Sequence, residues 1–314
     1  MTRRPVHRTV PWSTIATASL LLCVLSACLG ASPERAAGAD TDRLKVVAEF
    51  SILAEFATAV GGERVSVDTI VALGGDPHAY EPRPGDAARI SDADLVLEHG
   101  LGLSPWMGSL RANAQGPVVT IGAVVADHAV RSDDGVLDPH LWMSPELAAD
   151  YVDRIAEALT EVDPDHGSLY ATNALEFQRE LADLDDELQA IFTTIPPEHR
   201  QLVTPHDAYR YFAEHFGLEV LGTLVGVTTE EEPSARQVSE LVDAVRDSGV
   251  PAIFIESTVP PRQIERVAQD ADVAIAGPLY GDSLGEPGSG AESYVGMMRT
   301  NTITIVEALG GQAP

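Results

Sequence analysis

Short apolar runs and amphipathic segments alternate along most of the chain. The runs 44–50 (LKVVAEF) and 65–73 (VSVDTIVAL) are typical of strands, and the segment 51–62 between them has helical spacing and closes on glycine. Further strands are predicted at 94–100 and 117–125, again separated by helical segments. Repeated strand and helix units of this kind predict a parallel sheet with helices on both of its faces.

The middle of the chain has a longer helical pattern. Residues 144–163 form one predicted amphipathic helix, and a second helix begins after Pro164 and runs to about Thr194. A helix of about thirty residues spans roughly 45 Å at 1.5 Å per residue. A rod of this length can cross from one domain to another.

A second set of strand and helix units follows the prolines at 196–197. Its four strands are predicted at 201–206, 219–226, 252–257 and 272–282. The fold class that we expect is α/β, with two lobes that each contain a parallel sheet flanked by helices and that are joined by one long connecting helix. The expected bounds are 44–163 for the N-terminal lobe, 164–195 for the linking helix and 196–314 for the C-terminal lobe.

The first residues have the pattern of a lipoprotein signal. A basic start leads into an apolar run over 15–25, and Leu25-Ser26-Ala27-Cys28 follows. The run is too short for a spanning helix, and lipoprotein processing in bacteria needs small residues before a cysteine. We therefore expect a signal peptide over 1–27, lipidation at Cys28 and a flexible tether over 28–43, which would hold the protein at the extracytoplasmic face of the cell membrane. The alternative is an ordinary cleaved signal with an incidental cysteine.

The net charge of the chain narrows the range of its partners, and its cysteine content bears on how the fold is stabilised. The chain has 20 basic and 48 acidic residues, a formal net charge of −28 at pH 7, which argues against nucleic acid as a partner. Of its two cysteines, Cys23 would leave with the signal and Cys28 would carry lipid, so we expect no internal disulfide. The fold must then be stabilised by its core.

Three of the nine histidines share one placement, each directly after a proline and near the end of a predicted strand: His78, His140 and His206. In open α/β sheets, the carboxyl ends of the strands form the ligand crevice. The preceding prolines restrict the backbone, which is what a preorganised metal site requires of its imidazoles. Any one of these histidines alone is more often a capping or surface residue than a ligand. Three histidines with the same placement indicate that they share one metal site.

A carboxylate completes the candidate set. Asp282 ends the last predicted strand, and Glu256, also at a strand end, is its rival as fourth ligand. Two candidates from each lobe place the ligand in the cleft between the lobes. Three imidazoles and one carboxylate suit Zn²⁺ or Mn²⁺ and offer no sulfur to Cu⁺. His99, at the end of another strand, is a candidate hydrogen-bond donor to a ligand.

Four segments around these residues are long and specific: GDPHAYEPRPGDAARI, DPHLWMSPE, TPHDAYRYFAEHFG and GPLYGDSL. With them the chain resembles the metal-binding solute receptors of ATP-driven importers, the ZnuA/TroA-like group, over nearly everything from Leu44 onward. The resemblance implies a monomeric receptor that delivers a metal to an ABC permease and its ATPase, with the long helix as a rigid connector. The metal ligands that it implies are His78, His140, His206 and Asp282.

The choice of metal rests on the donor atoms. Imidazole raises affinity along the divalent series, so a nitrogen-rich set favours Zn²⁺ over Mn²⁺ as the transported ligand. Manganese receptors of this group often have glutamate where His206 stands. Zinc receptors of this group often have a long histidine-rich or acidic loop in the first lobe and two later cysteines, whereas here that loop is short, with one histidine, and no cysteine pair is expected. We therefore expect zinc, with manganese as the competing metal.

Two other functions use the same residues. A secreted zinc hydrolase would need an open coordination position and a general base such as Glu256, but the sequence has no HExxH motif. Four protein ligands close the coordination sphere, which favours binding over catalysis. A metal-binding adhesin would share the site and differ only in its partner.

Overall fold

The first sheet of the computed structural model has four parallel strands in the order β2-β1-β3-β4. The structure describes residues 43–132 and 135–314, so the predicted signal peptide over 1–27 and Cys28 lie outside the described residues. The strands are β1 (Leu44–Ala48), β2 (Val65–Thr69), β3 (Leu95–Glu98) and β4 (Val118–Thr120). The helices between them are α1 (Ser51–Gly61), α2 (Pro84–Asp92) and α3 (Met107–Arg111).

The C-terminal part contains two pairs of parallel strands, so the predicted class of parallel sheets flanked by helices is confirmed. One pair is β5 (Gln201–Thr204) with β6 (Glu219–Thr223), and the other is β7 (Ala252–Glu256) with β8 (Ala274–Leu279). The helices of this part are α6 (Arg210–Phe216), α7 (Ala235–Ser248), α8 (Arg262–Ala271) and α9 (Tyr294–Ala308).

Two long helices lie between these sheet regions. Helix α4 (Pro145–Val162) starts at Ser144, whose hydroxyl accepts a hydrogen bond from the backbone of Leu147, and it has proline at its first position. Helix α5 (Gly167–Phe192) is 26 residues long and packs against α1, α4 and α9. Its buried side chains recur at helical spacing: Tyr170, Ala174, Phe177, Leu181, Leu184, Leu188 and Phe192. Helix α5 therefore contacts elements on both sides of the molecule.

One apolar core runs through both sheet regions. It includes Val46 and Leu97 from the first sheet and Leu202 and Phe254 from the later strands. The fully buried Trp142 packs at a tilt against Phe50 of the first region, with ring centroids 5.0 Å apart. Its Nε1 donates to the Gly281 carbonyl of the second region at 2.8 Å. Close packing of this kind fixes the carboxyl ends of both sets of strands relative to each other.

All eight predicted strands are shorter in the structure than expected, and two of them show why. The strand predicted over 117–125 ends at Thr120, because residues Gly122–His128 form a 3₁₀ helix. The strand predicted over 65–73 ends at Thr69. Apolar runs alone do not separate strands from buried irregular segments, which is why both extensions were overestimated. Among the described residues, no helix is both long and apolar enough to cross a membrane.

Candidate metal centre

The four candidate side chains converge on one point. His78 follows β2, His206 follows β5, Asp282 follows β8, and His140 directly precedes the 3₁₀ turn that leads into α4. All four are at most 2% exposed, and one ligand atom from each lies within 4.8 Å of all the others. His78, His206 and Asp282 thus lie after strands as predicted, and the residues that meet here are up to 204 positions apart. The predicted strand end before His140 is wrong, because β4 already ends at Thr120 and His140 lies 20 positions later, next to a 3₁₀ turn.

The contacting atoms are three imidazole nitrogens and both oxygens of one carboxylate. Nε2 of His78 lies 3.2 Å from Nε2 of His140. Asp282 Oδ1 is 3.4 Å from His140 Nε2, and its Oδ2 is 3.1 Å from His206 Nε2 and 3.8 Å from His78 Nε2. Buried polar atoms facing one another in this way are costly unless hydrogen bonds or a cation compensate them. The donor set and its burial fit a divalent transition metal.

Two of the imidazoles have a carboxylate on their Nδ1 side, opposite the Nε2 atom that faces the centre. Asp138 Oδ1 accepts from the backbone of His140 at 3.0 Å and lies 2.8 Å from its Nδ1. Glu256 Oε1 accepts from the backbone of His206 at 3.1 Å, and Oε2 lies 2.7 Å from its Nδ1. A proton on Nδ1 leaves Nε2 with a free lone pair that points to the centre. Asp138 thus hydrogen-bonds to the ring of His140, and Glu256 lies in close contact with the Nδ1 side of His206. Both contacts favour the ring orientation that a metal needs.

This geometry distinguishes Asp282 from Glu256, the two candidates for the fourth metal ligand. Glu256 lies on the Nδ1 side of His206, whereas Asp282 faces the Nε2 atoms of all three imidazoles. Asp282, and not Glu256, therefore belongs to the group that could hold a metal.

The comparison with known proteins agrees with this architecture. The chain matches the family described as zinc-uptake complex component A, periplasmic, over residues 46–308. It belongs to this family.

The receptor has relatives that match it over nearly its whole length. The manganese-binding lipoprotein MntA of Halalkalibacterium halodurans is 37% identical over 291 residues, which cover 92% of this chain and 96% of that protein. The manganese ABC transporter substrate-binding lipoprotein PsaA of Streptococcus mitis is 33% identical over 300 residues, with coverage of 92% and 96%.

Solved structures show the same fold. The periplasmic zinc-binding protein TroA of Treponema pallidum has a TM-score of 0.82 at 30% identity, covering 85% of this chain and 99% of that structure. A manganese-bound periplasmic metal-binding protein of Candidatus Liberibacter asiaticus has a TM-score of 0.76 at 28% identity, covering 85% and 100%. The resemblance seen in the sequence is confirmed: the protein is a metal-binding substrate-binding protein of the ABC transporter class, not an enzyme. Such proteins work with a permease and an ATPase.

The loop that carries His78 is fixed by side chains around it as well as by its proline. The backbone N–H of His78 donates to Asp76 Oδ1 at 2.8 Å. The carbonyl of Pro77 accepts from Ser104 Oγ at 2.9 Å and from Trp106 Nε1 at 2.7 Å. These three residues were not predicted as part of the site. Asp76 and Asp138 share a detectable signal, because each begins an Asp-Pro-His tripeptide and its carboxylate accepts from the histidine two positions later.

The charges at the centre shift the pKa values of its residues in opposite directions. Burial disfavours the charged imidazole of His140, but the carboxylates of Asp138 and Asp282 outweigh it and raise the pKa of His140 to about 9. Burial is likewise outweighed at His206, where Glu256 and Asp282 raise the pKa well above its ordinary value. At His78 burial prevails and lowers the pKa to about 3. A metal at this centre must therefore displace protons from some of its ligands.

His99 does not have the predicted contact with a ligand. Its Nε2 lies 2.8 Å from the Tyr151 hydroxyl and its Nδ1 lies 3.0 Å from the Gly100 carbonyl. The ring packs edge-on against Trp142, with centroids 4.9 Å apart, and Trp142 in turn packs on His140 at 5.2 Å. His99 thus supports the site through packing, because its polar atoms point away from it.

Residues 281–285 read Gly-Asp-Ser-Leu-Gly, which has the G-x-S-x-G spacing of a hydrolase nucleophile. Ser283 Oγ accepts from the Gly74 backbone at 2.8 Å and lies 3.3 Å from Ser51 Oγ. Within the described part of the chain, no histidine hydrogen-bonds to Ser283, so it lacks the base that a nucleophile needs. Its contacts join the Asp282 loop to the first sheet region.

Proposed function

We propose that this protein captures a divalent transition metal at His78, His140, His206 and Asp282 and delivers it to an ABC permease and its ATPase. The observation that carries the proposal is the convergence of three buried Nε2 atoms on a buried carboxylate, with carboxylates behind two of the rings. A sphere filled by protein donors suits capture and transfer, because catalysis needs an open position for water.

Zinc is the metal that we propose the receptor binds more tightly. Three of its four ligands are imidazoles, and affinity for such a site rises along the divalent series so that zinc exceeds manganese. TroA of Treponema pallidum is described as zinc-binding. Manganese is the competing candidate, because MntA and PsaA are named for manganese and because both oxygens of Asp282 face the centre. Carboxylate oxygens suit manganese.

We also propose that the receptor acts as a monomer on the extracytoplasmic face of the cell membrane, anchored by lipid on Cys28 after removal of residues 1–27. The relatives MntA and PsaA are named lipoproteins, and the Leu-Ser-Ala-Cys sequence supplies the processing site. Labelling cells with a radioactive fatty acid should mark the parent protein and not Cys28→Ser. Equal labelling of both proteins would contradict the anchor.

The division into two lobes is a further part of the proposal. Strands β1 to β4 lie within the proposed N-terminal lobe (44–163), and β5 to β8 lie within the C-terminal lobe (196–314). The proposed linking helix (164–195) contains α5, which packs against α1 on one side and α9 on the other. This arrangement supports a rigid connector between two halves that each contribute ligands.

The metal assignment is tested by dialysing metal-stripped protein against equal concentrations of Zn²⁺ and Mn²⁺ and measuring both by elemental analysis, with His206→Glu alongside. The expected result is one zinc per chain in the parent and a shift towards manganese in the variant, because a harder oxygen ligand replaces a nitrogen. If the parent protein binds manganese instead, the proposed receptor function still holds and the proposed choice of zinc is wrong. The absence of stoichiometric metal would contradict the proposed site.

A further inference from the structure

The carboxylate of Asp76 joins two distant parts of the chain. Its Oδ1 accepts from the backbone N–H groups of His78, at 2.8 Å, and Ala79, at 3.4 Å. Its Oδ2 accepts a hydrogen bond from the hydroxyl of Thr229, which lies 153 positions later in the loop between β6 and α7. Both side chains are half-buried. One side chain therefore caps the turn that presents His78 and also contacts the opposite side of the site.

The loop that carries Thr229 is itself attached to the segment that carries His206. The carbonyl of Pro205 accepts from the backbone of Leu224 at 3.1 Å and of Val225 at 3.0 Å. The backbone of Asp207 donates to the Gly226 carbonyl at 3.1 Å. These bonds lie on both sides of His206 in sequence, so the Thr229 loop and His206 are held together.

From these contacts we infer that Thr229 is a positioning residue whose hydrogen bond to Asp76 holds the His78 and His206 segments together and slows release of the metal. The inference rests on the proposed function, because it concerns the spacing of two of the proposed ligands. A hydroxyl is a suitable donor here, since it satisfies a carboxylate without adding a cation beside the site.

The other side of the His78 loop has a separate attachment. The backbone N–H of Gly74 donates to Ser283 Oγ at 2.8 Å, and Ser283 adjoins Asp282. The His78 loop is thus linked through Ser283 to one ligand segment and through Thr229 to another. Loss of the Thr229 bond leaves the first link in place, so all four ligands can still assemble around a metal. The expected effect is on the frequency with which the site opens, which controls dissociation.

The test uses an isosteric variant with matched controls, in the full protein purified in detergent. Thr229→Val replaces the hydroxyl with a methyl group and keeps the shape. Thr229→Ala removes the hydroxyl together with the γ-methyl group, and Thr229→Ser keeps the hydroxyl and loses that methyl group. Thr228→Val makes the same change at the adjacent half-buried threonine, which has no hydrogen bond to Asp76. The readouts are the zinc dissociation rate in excess chelator, the association rate, and the unfolding temperature without metal.

A hydrogen bond to a charged group predicts dissociation on the order of tenfold faster in Thr229→Val and Thr229→Ala. The association rate and unfolding temperature should stay near those of the parent, and Thr229→Ser and Thr228→Val should match it. The inference about Thr229 would be wrong if Thr229→Val and Thr229→Ala released zinc at the parent rate. It would also be wrong if Thr229→Ser released zinc as fast as these two variants. Neither result would affect the proposed function. If the parent itself bound neither zinc nor manganese, the proposed function would fail and the inference with it.

Discussion

Glu256 and His206 form a buried pair in which the carboxylate lies behind the imidazole, with Oε2 at 2.7 Å from Nδ1. Because Glu256 also accepts from the backbone of the same histidine at 3.1 Å, it fixes both the position and the orientation of the ring. Asp282 occupies the opposite, Nε2 side at 3.1 Å. The two carboxylates therefore have different roles, which can be separated by experiment.

The first prediction concerns these two carboxylates. Glu256→Gln keeps the shape of the side chain and removes its charge, so zinc affinity should fall roughly 10- to 100-fold, the range for residues that orient a ligand. Asp282→Asn should lower affinity further, because it changes an atom in contact with the metal. Competition with a chelating dye measures both, and the exposed Glu198→Gln is the control. A larger loss in Glu256→Gln than in Asp282→Asn would reverse the assignment.

A second prediction concerns His140, which is fully buried at the centre. His140→Ala removes one of the four ligating side chains and leaves Asp138 facing an empty space, so zinc affinity should fall by more than roughly a hundredfold. His128→Ala changes an exposed histidine and should leave affinity unchanged. Competition with the same chelating dye measures the zinc affinity of both variants. Unaltered affinity in His140→Ala would exclude it as a ligand.

The third prediction concerns protons. Because the pKa of His140 is raised to about 9, its imidazole is charged at pH 7 in the absence of metal, and zinc must displace that proton. Calorimetry at pH 7 in two buffers of different ionisation enthalpy should show at least one proton released per zinc. Affinity should rise as pH increases towards 9. Buffer-independent heats would contradict the raised pKa.

The same shift predicts how stability depends on pH without metal. A histidine whose pKa rises from 6.5 to about 9 on folding contributes stability that is fully present below pH 6.5 and is lost as pH increases through 9. The unfolding temperature of the metal-free protein should therefore fall across this interval, and Asp138→Asn should reduce the slope. An equal slope in the variant would show that another group is responsible.

A further prediction concerns Glu49, a buried carboxylate that accepts from the backbone of His99 at 2.6 Å. Burial raises its pKa from 4.5 to about 7, so the free energy of unfolding falls as pH rises through this range. Glu49→Gln removes the titration and should reduce the loss of stability between pH 5 and pH 8 by roughly 3 kcal/mol. Urea unfolding at both pH values measures it, with the exposed Glu63→Gln as control. A parent-like pH dependence in Glu49→Gln would show that this carboxylate is ionised in the fold.

The strand pattern predicted the neighbourhood of three of the four positions that meet at the centre, but it placed His140 at a strand end that the structure does not have. His78, His206 and Asp282 follow strands of parallel sheets, and the carboxyl ends of such strands form a crevice whatever the details of packing. The pattern could not separate Asp282 from Glu256, because Glu256 ends one strand and Asp282 follows another. Only the ring orientation of His206 shows which carboxylate faces Nε2. The prediction for His99 was wrong for a similar reason. The residue does lie at the end of a strand, as predicted, but its side chain points towards Tyr151 and not towards a metal ligand.

Other features depend on contacts that local sequence does not encode. The hydrogen bond between Asp76 and Thr229 joins loops 153 positions apart, and neither loop has a motif that indicates the other. The apolar residues after Thr120 form a 3₁₀ helix because tertiary packing, and not strand propensity, determines their conformation.

We propose that one metal is held by three imidazoles and Asp282, with Glu256 outside the coordination sphere. The most direct measurement is anomalous diffraction from crystals grown with zinc, recorded on both sides of the zinc absorption edge. We expect one strong peak about 2.0–2.2 Å from Nε2 of His78, His140 and His206 and from a carboxylate oxygen of Asp282. A peak bound by Glu256 instead of Asp282, or the absence of a peak among these residues, would contradict it.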